Sequence, residues 1–207
     1  MTRTVLTIPF LGLALGLALS GPALAQTPPT RDPAQVQPGA YAVDPGHTQV
    51  GFTVSHMGFS NYSGGFSGVS GSLDLKPENP GASSLKVSIP VASVSTTSAK
   101  LTDELKSAQW LDAGKFPEMT FVSTKVTPDG KDKAKVAGDL TLHGVTKPVT
   151  LEVTLVGAGV NPLSKKYTVG FEVKGAIKRS EFGVKTYVPL IGDDLHLTIA
   201  GAFERKD

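Results

Sequence analysis

The feature that most constrains this chain is a period-two alternation of apolar and small or polar residues, repeated along most of its length. Val50, Phe52 and Val54 begin it. Val69, Gly71, Leu73 and Leu75 follow, and then Leu85, Val87, Ile89 and Val91. Met119 to Val126 is the fourth run, and Ala134, Val136, Gly138, Leu140 and Leu142 the fifth. Val149, Leu151, Val153 and Leu155 make the sixth, and Tyr167, Val169, Phe171 and Val173 the seventh. Leu195, Leu197, Ile199, Gly201 and Phe203 close the series. Successive side chains of a strand point to opposite faces, so each run reads as a strand with one buried and one wet face.

Turn chemistry separates the runs: a Gly/Ser-rich stretch from Asn61 to Gly65, Pro80-Gly81, and Pro128-Asp129-Gly130. One segment has helical spacing. Ser98 to Gln109 carries Leu101, Leu105 and Ala108, with Ser98 or Thr97 as N-cap. Arg179 to Pro189 and Gly192 look irregular. Eight alternating strands and one short helix, about 98–109, predict an all-β fold: an eight-stranded antiparallel barrel of the lipocalin-like kind. Such a barrel has interior room for side chains or for one small ligand. Gly51, Gly71, Gly138, Gly170, Gly175 and Gly201 interrupt the strand patterns. Each can be a bend or bulge, and together they can leave interior volume unfilled.

The first residues differ in kind. Arg3 precedes an apolar stretch from Val5 to Leu19, and Ala23-Leu24-Ala25 follows as a small-x-small site. This pattern predicts a secretory signal peptide, residues 1–25, cut after Ala25. The stretch is shorter than a membrane-spanning helix and holds Pro9, so no stable membrane anchor is expected. Residues 26–39 hold four prolines and read as an extended linker. Residues 40–207 are one domain. The expected location is the periplasm.

The whole chain has 20 Lys+Arg and 18 Asp+Glu; losing Arg3 with the leader brings it closer to neutral, so no nucleic-acid partner is expected. It has no cysteine, which excludes disulfides, thiolate metal sites and a cysteine-linked lipid. The histidines at 47, 56, 143 and 196 have no close metal-ligand spacing, so no metal or cofactor is expected.

Four segments together resemble the YceI-like family, lipid or polyisoprenoid binders with a lipocalin-like barrel. They are YAVDPGHTQVGFTVSHMG from Tyr41, DELKSAQWLDAGKFPEMTF from Asp103, GDLTLHGVTKPVTLEV from Gly138, and IKRSEFGV from Ile177. The resemblance runs from Tyr41 to about Phe203. It implies a barrel with an apolar tunnel, an isoprenoid lipid or a quinone as partner, and no catalysis. It leaves a homodimer open. Two places depart from the family pattern: Glu104 stands where a His is frequent, and Trp110 where a Phe is frequent.

Candidate ligand-contacting residues follow, for the tunnel or for a head group: Phe52, Val54, His56, Phe66, Leu101, Leu105, Trp110, Phe121, Phe171 and Arg179. His56 shares parity with Phe52 and Val54, and either meets a head group or is satisfied by nearby backbone. Arg179 either forks onto a phosphate or carboxylate or pairs with Asp44 or Glu181 to close a barrel end. Asp44 and His47 flank Pro45-Gly46 and read as a structural turn lock. His143 reads as a turn residue. Two other classes of function stay open: a periplasmic hydrolase or isomerase using Asp44, His47 or His56, and a ligand-free, stress-related module.

Overall fold

The computed structural model describes residues 27–206. Eleven strands form one sheet: β1 (Gly39–Val43), β2 (Gln49–His56), β3 (Ser60–Phe66), β4 (Ser70–Leu75), β5 (Ser84–Pro90), β6 (Ser95–Thr96), β7 (Glu118–Pro128), β8 (Lys133–Leu142), β9 (Val145–Val160), β10 (Tyr167–Lys178) and β11 (Ile191–Arg205). Eight of them close a ring in the order β1-β4-β5-β7-β8-β9-β10-β11 and back to β1. Every pairing is antiparallel. The expected eight-stranded barrel is what forms.

The remaining strands prolong ring members. β1 and β2 both run along β11, opposite Phe203 to Arg205 and opposite Ile191 to Ala200. They are two halves of one course, broken at residues 44–48. β3 continues β4 in the same way, and β6 continues β5. Closure pairs the ring strands with one another and leaves no free edge along the ring.

Three local expectations change. Asn61 to Gly65 is not a turn but part of β3, paired with β2 from Ser55 to Gly51. The reversal lies at Met57 and Gly58, both with positive φ. Gly64 is needed for space: a Cβ there would run into the Phe52 ring and lie 2.9 Å from the Ser95 carbonyl. The helix, α1, is shorter than its apolar spacing suggested and spans Ala99–Lys106. Ser98 caps it, its Oγ accepting from the Leu101 N–H at 3.3 Å. Gln109 and Trp110 lie past it, in turns where the Leu111 and Ala113 N–H groups donate to the carbonyls of Leu105 and Lys106. Gly192 belongs to β11, whose register against β2 slips between Ile191 and Leu195.

Residues 30–38 are not the free extended linker expected: a 3-10 turn at Pro33–Gln35, begun by Pro33 and capped by Asp32, interrupts them, and they are docked on the barrel. Thr30 bridges Ala158, and Val36 is 7% exposed within the core. Gln37 bonds the hydroxyls of Tyr41 and Tyr167. Their few apolar side chains build no core of their own. They borrow the apolar end of the barrel.

Candidate functional site

The inward faces of the strands enclose a cavity of about 380 Å³, within the size range of small-molecule sites. Leu195, Leu197 and Ile199 point into it yet are only half-buried. Inward residues of a filled barrel would be covered by one another, so the partial exposure reports open interior space. The strand glycines do not all create that space. Gly138 receives the Phe121 ring from the neighbouring strand, and Gly175 receives Leu151. Gly201 lines the cavity itself.

The two ends differ. At one end the lining residues Leu105, Trp110, Leu111, Arg179, Val184 and Ile191 are all buried or half-buried. At the other end Ser84, Pro128, Gly130, Lys131 and Lys133 line the cavity and are exposed. The mouth therefore lies between the β4–β5 loop and the β7–β8 turn, with Pro33 and Val36 of the docked N-terminal segment also on the lining.

Arg179 closes the far end and is 3% exposed. It opens the 3-10 turn Arg179–Phe182. Its Nε donates to the Gly192 carbonyl at 2.8 Å, Nη1 to Val184 at 3.0 Å, and Nη2 to Ile191 at 2.8 Å. Its guanidinium lies 5.4 Å from the centroid of the Trp110 ring. Neither Asp44 nor Glu181 pairs with it. Glu181 is exposed, and Asp44 sits on another turn. Burial lowers the Arg179 pKa, and the negative charge of Asp193 partly restores it. Asp193 accepts from the Ser180 N–H at 2.8 Å and from its hydroxyl at 2.7 Å. Burial acts to raise the Asp193 pKa, but those bonds and the charges of Lys178 and Arg179 hold it below the ordinary value. Three backbone carbonyls satisfy much of a charge that would otherwise be costly to bury.

Eight of the expected contact residues line the cavity: Phe52, Val54, Phe66, Leu105, Trp110, Phe121, Phe171 and Arg179. His56 and Leu101 do not. His56 keeps the inward parity, but it ends β2 beyond the enclosed volume, with its ring 6.5 Å from that of Tyr62. Leu101 sits one helical turn before Leu105, and only Leu105 reaches the lining. The departures Glu104 and Trp110 meet: Trp110 Nε1 donates to Glu104 Oε1 at 3.1 Å. Leu111, Val184 and Ile191 escaped sequence reading because they stand in turns or at a strand end, outside any periodic pattern.

Asp44 and His47 form a turn lock, with His47 Nδ1 2.6 Å from Asp44 Oδ2 and the Gly46 N–H donating to Asp44 Oδ1 at 2.9 Å. Burial acts to raise the Asp44 pKa, yet the bonds from His47 and Gly46 bring it below the ordinary value. The His47 side chain is 75% exposed, and neither residue lines the cavity. β2, eight residues long, separates this turn from His56 by about 25 Å at roughly 3.3 Å per residue. The fold does not bring the three together. His143 is a turn residue as read, paired with Gly144 at positive φ, its ring 4.6 Å from Phe116. Among the described residues no cluster of three His, Cys, Asp or Glu could hold a metal ion.

Residues 41–203 match the YceI-like domain. The chain belongs to the YceI-like family. Protein YceI of Escherichia coli O157:H7 is 40% identical over 154 residues, which cover 74% of this chain and 80% of that protein. Among solved structures, Burkholderia cenocepacia BcnA superposes with a TM-score of 0.70 at 27% identity, covering 77% of this chain and 98% of that one. A polyisoprenoid binding domain from Saccharophagus degradans, implicated in plant cell wall breakdown, has a TM-score of 0.61 at 16% identity. It covers 80% of this chain and 98% of that one, and at this identity it supports the fold alone. The matched residues hold nearly all of the barrel and its closed end, while Pro33 and Val36 at the mouth precede them.

Proposed function

We propose that this YceI-like barrel is a non-catalytic carrier that holds an isoprenoid chain, of polyprenyl or prenyl-quinone type, in its interior. The observation that carries the reading is the cavity: open at one end, almost wholly apolar along its walls, and closed at the other by Arg179 and Trp110. The ligand class is taken into this proposal from the Saccharophagus domain, which is described as polyisoprenoid binding and shares the fold. Burial is worth roughly 0.8 kcal/mol per CH₂, or about 4 kcal/mol gross for each five-carbon unit. Several units offset the cost of immobilising the chain without any strong polar contact. The carrier acts in the periplasm, which the Arg3, Val5–Leu19 and Ala23-Leu24-Ala25 pattern supports.

Native mass spectrometry of protein purified from its own host tests the ligand. A bound species with an isoprenoid mass series is expected; protein that is lipid-free and takes up neither octaprenyl monophosphate nor an octaprenyl quinone from detergent refutes it. Fractionation tests the address. A periplasmic chain starting at Gln26 is expected, and an unprocessed cytoplasmic chain overturns it.

A further inference from the structure

The β9–β10 hairpin stands at the mouth end, where Leu155 N–H donates to the Asp132 carbonyl of the β7–β8 turn at 2.9 Å. It carries large apolar side chains in solvent: Leu163 is 90% exposed and Val160 64%. Cations surround it. Arg31 follows the residue that bridges the hairpin, Lys165 sits on its tip, and Lys131 and Lys133 line the mouth. Among the described residues none of these four is in an ion pair, whereas Asp74, Asp129 and Glu204 at the same end are each held by a lysine. Among the described residues Asp32, Glu78 and Asp132 are the other acids there.

We infer that this end is a membrane-docking face, with the hairpin tip seated among lipid head groups and the lysines against anionic lipid. The inference rests on the carrier reading in one respect, that the cargo lives in a bilayer. A long apolar chain pays heavily to cross even a thin layer of water, so a carrier that takes it from a membrane has to bring its mouth to the surface. The structure puts exposed apolar side chains and unpaired cations around that mouth, the two attractions that hold a protein at an anionic interface. A second apolar surface, Met57, Phe59, Tyr187 and Leu190, lies at the closed end, where seating on a membrane would leave the mouth in water.

Sedimentation with vesicles tests this on the ligand-free protein. Wild type is expected to sediment with phosphatidylethanolamine–phosphatidylglycerol vesicles and less with phosphatidylcholine. Lys131→Ala and Lys133→Ala each lower the partition about fivefold, and Leu163→Asp lowers it without changing the circular dichroism spectrum. Phe59→Asp leaves it unchanged. Three results overturn the inference: wild type that does not sediment, hairpin and lysine variants that match it, or loss in Phe59→Asp alone. A wild-type dimer in lipid-free buffer that Leu163→Asp turns into monomer also overturns it, assigning the hairpin to a second copy. Vesicles seeded with octaprenyl monophosphate separate the two readings. Leu163→Asp, which does not line the cavity, extracts it slowly while its uptake from detergent micelles stays normal; if no form takes it up from either source, the carrier reading falls and sedimentation alone decides docking.

Discussion

Replacing Arg179 by Met asks whether this buried cation holds the barrel end together or waits for a ligand. The side chains are similar in length, so the main loss is polar. Three carbonyls, of Gly192, Val184 and Ile191, lose their charged donor. A hydrogen bond to a charged group contributes about 1.5–3 kcal/mol, so the gross loss is about 5–9 kcal/mol. Removing the buried charge returns part of this, since desolvating a guanidinium is itself unfavourable. Loss of the ring contact with Trp110 adds about 1 kcal/mol. A net destabilisation of about 3–5 kcal/mol follows, large against the roughly 5–15 kcal/mol that hold an ordinary domain. Urea unfolding of lipid-free protein, followed by circular dichroism, measures it, and the thermal midpoint should fall by about 10 °C. An Arg179→Met protein as stable as wild type, or more stable, refutes the reasoning. That result would show a charge held at a cost for the sake of a ligand.

Other consequences are checked more simply. Leu197→Trp puts a larger side chain into open space rather than into a packed core. It should leave the thermal midpoint within a few degrees while cutting uptake of octaprenyl monophosphate by at least about tenfold, since the tail loses the volume it needs. Gly138→Val should destabilise by about 2–3 kcal/mol in urea unfolding, because the Phe121 ring occupies the place of the new side chain. The Asp44 carboxyl titrates below its ordinary value in the folded protein. Its contribution is therefore fully present above the unfolded carboxylate pKa, near 4, and is lost as the pH falls through the lower folded value. Urea midpoints of wild type and His47→Ala should differ most above about pH 4 and converge below it; a gap independent of pH would count against the turn lock. Glu104→Ala removes the acceptor of the Trp110 indole and should shift Trp110 fluorescence and lower stability by about 1 kcal/mol.

The alternation of apolar residues determined most of this protein. A face buried at every second position needs a partner face, and eight such runs without long helices leave little besides a closed antiparallel barrel. The inward set followed from the same parity, which is why Phe52, Phe121 and Phe171 all reach the cavity. Parity says which face a residue takes, not how far the enclosed space extends, so His56 kept the right face and still fell outside. It is equally blind where the backbone is not periodic. The turn read at Asn61 to Gly65 was a strand because Gly64 serves the ring of a neighbouring strand, a contact set by register. Tertiary structure alone decided that Arg179 is satisfied by three carbonyls rather than by a carboxylate, and that Glu104 meets Trp110. It alone decided which end of the barrel is open. Each of these depends on where turns distant in the chain converge after the ring closes, and no local pattern encodes that convergence.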